Sequence, residues 1–170
     1  MERRVPFGRQ VDQTVVATTV ATPIGVLTLV AADSGLQRVL WGDVRPEGLT
    51  VDTEHAIFAL ARTELARYFD GRLRRFTVPL DLRGSAFHRR VWTRVAGVPF
   101  GSTVTYAEIA RSLGVPQGAR AVGSANARNP VPIVVPCNRL VGSDGALRGF
   151  GRGIAVKAFL LAHEARLRTV

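Results

Sequence analysis

Cys137 is the only cysteine in the 170 residues, and it stands in Pro136-Cys137-Asn138-Arg139 at the end of an apolar, proline-framed run that begins at Asn129-Pro130. A single thiol makes no intramolecular disulfide and no cysteine-rich metal site, and a thiol is a residue type that can serve as a nucleophile. The thiolate is the reactive form. An ordinary thiol, with a pKa of about 8.5, is only a few per cent ionised at neutral pH, so Cys137 needs a base or a positive field. Its neighbour Asn138 can orient water but takes no proton at physiological pH. The histidines at 55, 88 and 163 stand away from the motif, and Glu164 follows the last of them. No metal and no cofactor is expected.

The charge says what such a nucleophile faces. The net charge is +10, and it is unevenly placed. Residues 1 to 85 carry 11 Arg against 10 acids, a balance of +1, whereas residues 86 to 170 carry 11 Arg and Lys157 against Glu108, Asp144 and Glu164, a balance of +9. A GC-rich genome explains 22 Arg to one Lys, but not the thinning of acids after residue 85. Clustered Arg releases counterions from phosphates, so nucleic acid is the leading partner. No stretch of about 18 apolar residues spans a membrane, and Met1 to Pro6 lacks the apolar core of a signal peptide. Reducing cytosol is the expected compartment.

The elements that must position these residues divide the chain into two parts. Residues 1–14 read as a loose terminus, 15–84 as a small α+β part and 85–170 as a mainly helical part, giving an α+β fold. Val15–Val20, Val26–Ala31 and Leu36–Trp41 form an antiparallel meander with turns at Pro23-Ile24-Gly25 and Asp33-Ser34-Gly35. Ile57, Leu60, Ala61, Leu65 and Tyr68 fall at helical spacing in a helix from Glu54 to Phe69, stopped at Asp70-Gly71. A short strand is expected over Arg75–Leu80, and another over the apolar run leading to Cys137. In the second part, Ser85 caps a helix to about Ala96, with Phe87, Val91, Trp92 and Val95 on its buried side.

Thr105 and Glu108 have capping-box spacing and open a helix to Leu113, stopped by Gly114. A second helix starts near Gln117 and runs to Asn126, and the pair has the signature of a helix-turn-helix. That second helix carries Ala119, Ala121, Gly123, Ser124 and Ala125, small residues that read few base edges yet permit close approach to DNA. Tight helix–helix packing accounts for the same composition equally well.

With these residues in place, the chain resembles the alkylguanine-DNA alkyltransferases, also called methylated-DNA-protein-cysteine methyltransferases. The likeness rests on Asn129-Pro130 through Pro136-Cys137-Asn138-Arg139, Tyr106-Ala107-Glu108-Ile109-Ala110, Ala119-Arg120-Ala121-Val122-Gly123, Gly149-Phe150-Gly151 and Lys157 to Glu164. Thr22-Pro23-Ile24-Gly25 and Phe87 to Trp92 extend it to roughly residues 15–166. The family's motif has His where Asn138 stands, and a small residue is usual where Arg152 stands. The resemblance implies stoichiometric transfer of the alkyl group of O6-alkylguanine to Cys137, from a base flipped out of double-stranded DNA bound through its minor groove with little sequence specificity. Chemistry on a stacked base requires taking it out of the stack.

By the same resemblance Arg120 is the finger that fills the flipped base's place. Tyr106 donates to guanine N3, and Asn129 ties the recognition helix to the active-site segment. Cys137, Leu140 and Gly151 hold the base edge through backbone groups, Phe150 walls the alkyl pocket, and Glu164 completes the cysteine's relay through Asn138 and water. Ala119, Ala121, Gly123, Ser124, Arg128 and Arg139 join Tyr106 and Arg120 at the DNA, and Arg152 narrows the alkyl pocket or contacts phosphate. The protein is expected to act as a nucleoid-associated monomer without a membrane. Two other readings stand beside transfer. One is a non-enzymatic lesion-binding protein of the alkyltransferase-like type, against which the retained Cys137 counts. The other is a transcriptional regulator, against which the small-residue helix counts.

Overall fold

A computed structural model describes residues 14–44 and 46–168. The loose terminus expected over 1–14 therefore lies, except for Thr14, outside the described residues. Strands β1 (Val16–Thr22), β2 (Gly25–Ala32) and β3 (Gly35–Trp41) form the expected meander, and β4 (Thr50–Val51) adds to β1 in parallel, so the sheet order is β3-β2-β1-β4. At the second turn Gly35 has φ of 141°, and a Cβ there would lie 2.7 Å from the Pro79 carbonyl oxygen. Only glycine lets the chain pass so close to its neighbour.

Helix α1 (Ala56–Phe69) buries Phe58, Ala61, Leu65 and Tyr68 against the sheet. The strand expected over Arg75–Leu80 does not form; a single bridge joins Leu80 to Leu36. Buried Glu64 is the reason. Its carboxylate accepts the backbone N–H groups of Thr77 and Val78 at 2.9–3.0 Å, taking the donors that a sheet ladder would need.

Helix α2 (Ala86–Ala96) starts where expected, with Ser85 accepting from the His88 amide and Val91, Trp92 and Val95 buried. Strand β5 (Val104–Thr105) runs into α3 (Tyr106–Ser112), whose capping box between Thr105 and Glu108 is complete. After a turn containing Gly114, α4 (Ala119–Ala127) packs on both α3 and α2, with the Trp92 indole donating to the Ala125 carbonyl at 2.8 Å. The last helix, α5 (Ile154–Leu167), follows the glycine-rich loop. One continuous set of buried apolar side chains runs from Leu27 and Leu36 through Tyr68 and Trp92 to Val135 and Leu160, so both parts share a core.

Residues 129–136 are not a strand. Prolines 130, 132 and 136 have no N–H for a ladder, and the segment instead folds on itself through a Pro132–Val135 bridge and a bond from the Val135 amide to the Val131 carbonyl. Ile133, which is buried, takes φ of 75° there, unusual for a β-branched residue.

Candidate active site

The folded-back segment delivers Cys137 into a 3-10 turn, Cys137–Arg139, which passes into β6 (Leu140–Val141). Strand β6 pairs in parallel with β5, so the residue that begins α3, Tyr106, stands beside the chain that follows the thiol. Helix α4 reaches the same place from its last turn. The Asn126 side-chain amide approaches the Cys137 carbonyl at 3.4 Å, and Asn129 donates to the Val135 carbonyl at 2.8 Å while accepting from the Val131 amide at 3.0 Å. Asn126 thus joins the small-residue helix to the cysteine, whereas the Asn129 side chain braces the folded-back segment itself.

Cys137 is 6% exposed. Burial pushes its thiol pKa up, against the opposing pull of the Asn129 side chain and the Lys157 charge. Lys157, fully buried, is the cation that sequence reasoning overlooked. In the sequence it stands out only as the single lysine of the charge balance and as part of the Lys157–Glu164 pattern, but its ammonium donates to the carbonyls of Leu140 and Arg148 and lies 5.9 Å from the Tyr106 ring centre. Burial lowers its pKa, and the Cys137 charge works the other way. The Tyr106 hydroxyl shares the Arg148 carbonyl at 3.1 Å, and burial followed by the Cys137 charge raises its pKa.

Arg139 is not at a DNA-facing surface. Its side chain is 5% exposed and paired with Glu164 at 2.7 Å, with a further bond to the Val98 carbonyl, so it is unavailable both to phosphate and as the cation for Cys137. Glu164 also accepts from the Tyr68 hydroxyl at 2.7 Å, the Gly101 amide at 3.1 Å and the Asn138 amide at 3.1 Å. Burial alone would raise its pKa, but Arg139, Tyr68 and Gly101 together hold it below the usual carboxylate range. A carboxylate so saturated with donors is a clamp and a poor base. Because Glu164 can only accept, Asn138 must present its Nδ2 to it; the opposite end, Oδ1, is buried without a hydrogen-bond partner among the described residues.

Beside the thiol is a cavity of about 50 Å³ walled by Trp41, Asn129, Pro132, Phe150 and Gly151. Arg152 is exposed and absent from that wall, so the expected narrowing by its side chain is not what the structure shows. Glycines on both sides leave the 149–153 loop free to turn the cation outward. Trp41, from the first part of the chain, carried no such expectation. A wider groove of about 730 Å³ adjoins the cavity and is lined by Tyr106, Ala119, Arg120, Gly123, Arg148 and Gly149. Arg120 is exposed in the first turn of α4, Ala121 and Ser124 share its outer face, and Arg128 bonds back to the Ser124 carbonyl at 3.2 Å. Leu140 is fully buried, its carbonyl taken by Lys157.

The fold and site define a single-thiol acceptor set behind a helix-turn-helix. The family model described as 6-O-methylguanine DNA methyltransferase, DNA binding domain, matches residues 86–166, and the one described as 6-O-methylguanine DNA methyltransferase, ribonuclease-like domain, matches residues 15–82. A methylated-DNA–protein-cysteine methyltransferase of Mycolicibacterium paratuberculosis is 47% identical over 150 residues, covering 87% of this chain and 91% of its own. The constitutive enzyme of the same name from Bacillus subtilis is 37% identical over 156 residues, covering 86% and 93%. The crystal structure of Mycobacterium tuberculosis OGT in complex with DNA superposes with a TM-score of 0.82 at 42% identity, covering 88% of this chain and 92% of that one. The chain belongs to the 6-O-methylguanine DNA methyltransferase family.

Proposed function

We propose that the protein repairs DNA directly, moving the alkyl group of O6-alkylguanine to Cys137. The observation that carries this reading is the sole cysteine held at the wall of a methyl-sized cavity, which opens beside the groove under α3 and α4. In the step, Cys137 loses its proton and Sγ forms a bond to the alkyl carbon as the carbon–O6 bond breaks. The electron pair of that bond goes to the purine, which leaves as guanine after taking up a proton. The product is a thioether, so each molecule reacts once.

The residues around the thiol divide this work. Lys157 supplies the positive field that favours the thiolate, and Tyr106 faces the leaving purine with a hydroxyl that stays protonated. Asn138 offers Oδ1 as a neutral acceptor, and Glu164 with Arg139 fixes the amide's orientation. Duplex DNA lies along the outer face of α4, in the minor groove, where Ala119, Ala121, Gly123 and Ser124 allow close approach and Arg120 enters the stack. The arginine excess of residues 86–170 supports phosphate binding that is salt-sensitive and nearly indifferent to sequence. Cys137→Ser should abolish transfer from an O6-methylguanine duplex while leaving the affinity for that duplex within about threefold, since one hydroxyl replaces one thiol in an unchanged fold. Transfer that survives in the serine variant would refute the assignment.

A further inference from the structure

The cavity beside Cys137 is built from two parts of the chain. Most of its wall comes from residues 126–151, but one side is the indole of Trp41, at the end of β3 in the N-terminal sheet. Strand β3 is the sheet's edge, and its Val39 amide donates to the Pro130 carbonyl at 2.8 Å, which fastens the strand to the segment leading to the thiol. Val39 and Trp41 are two residues apart and so point to the same face. On the other side of the strand ladder Trp41 is held opposite Leu27 of β2.

The indole meets the ring of Phe150 edge-on, with centroids 5.8 Å apart and planes at 61°. Its Nε1 lies 3.8 Å from the position a Cβ on Gly151 would occupy. Phe150 belongs to a loop with glycines at 149, 151 and 153, which by itself has little to keep an aromatic ring in place. The sheet-anchored indole supplies the rigid backing. The space left is about 50 Å³. An apolar cavity of about 150 Å³ takes up benzene, so the space suits a methyl group and falls well short of a six-membered ring.

We propose that Trp41 sets the upper size of the alkyl group the protein accepts, acting across the two parts of the chain by backing Phe150. The proposal rests on the alkyl-transfer reading and adds to it a specificity-determining residue outside the helical part. Removing the indole takes away one wall of the cavity and the backing of Phe150 together, and so makes room for a benzyl ring.

Single-turnover rates of wild type, Trp41→Ala and Trp41→Phe, each measured on O6-methylguanine and O6-benzylguanine duplexes, test this. Trp41→Ala should raise the benzyl-to-methyl rate ratio at least tenfold, with Trp41→Phe in between. A merely structural Trp41 would lower both rates together and leave the ratio fixed, and that result overturns the proposal, as does an unchanged ratio in Trp41→Phe if the alanine variant fails to fold. In a Cys137→Ser background, the ratio of affinities for the two free bases should move the same way. Absence of methyl transfer by the wild type counts against the alkyl-transfer reading, and the affinity ratio alone then decides the role of Trp41.

Discussion

Replacing Asn138 by His should accelerate transfer at neutral pH, and the site's geometry sets the size of the gain. Asn138 is fully buried, gives a hydrogen bond to Glu164 Oε1, and leaves Oδ1 without a partner among the described residues. An imidazole can make the same donation from one nitrogen and present the other, a proton acceptor, where Oδ1 now lies. General-base assistance contributes about 10² to 10⁴-fold. Against this stands the larger ring in a fully packed position, for which overpacking costs about 1–3 kcal/mol; a misfit of that size in the reactive geometry removes about 10 to 10²-fold. With both effects taken at the middle of their ranges, the net expectation is a gain of roughly 10 to 10²-fold at pH 7.

The pH profile carries the stricter test of the same substitution. The wild-type thiol has its pKa raised by burial, so the thiolate fraction, and with it the rate, should climb steadily with pH through the neutral range. The histidine variant should level off above about pH 6.5, once the imidazole is unprotonated. Stopped-time measurement of Cys137 alkylation on an O6-methylguanine duplex between about pH 6 and 9 reads both quantities. A folded histidine variant whose rate at pH 7 equals the wild type's, with the same slope, would show that Asn138 does not occupy the acceptor position.

Glu164→Gln leaves the buried Arg139 without its partner, which should cost about 3–5 kcal/mol and lower Tm by on the order of 10 °C in thermal melts. Because the Glu164 pKa is depressed in the fold, its stabilisation is complete above the unfolded value of about 4.3 and is lost as pH falls through the folded one, so the two melting curves should converge in acid. Arg120→Ala should slow repair of duplex DNA more than reaction with the free modified base, since unstacking costs a few kcal/mol only where a stack exists; equal losses on both substrates would remove the finger role. Thr105→Ala breaks the α3 capping box and should cost about 1 kcal/mol by denaturant titration, with m unchanged.

Much of this was legible because local rules and tertiary demands agree. The meander, the Ser85 cap, the Thr105–Glu108 box and the glycine stop at 114 each follow from turn chemistry or capping, which act within a few residues. Sequence reading failed where distant groups decide. The strand expected at 75–80 lost its amide donors to Glu64, and the apolar run before Cys137 could not pair because its prolines lack donors. Arg139 looks like a surface cation beside the motif, yet Glu164, 25 residues later, draws it into the core. Lys157 and Trp41 belong to elements whose approach to the thiol depends on the packing of α5 and of the β3 edge, and no local pattern encodes that approach.

Cys137 itself accepts the alkyl group, despite the amide beside it. The intact mass of the protein after incubation with an O6-methylguanine duplex tests this most directly, followed by peptide mapping of the modified residue. The expected result is a gain equal to one CH2 per molecule, located on Cys137, in stoichiometric yield and growing faster as pH is raised from about 6 to 9. A protein that binds the lesion-containing duplex but keeps its original mass across that range would contradict it and identify a lesion-binding protein.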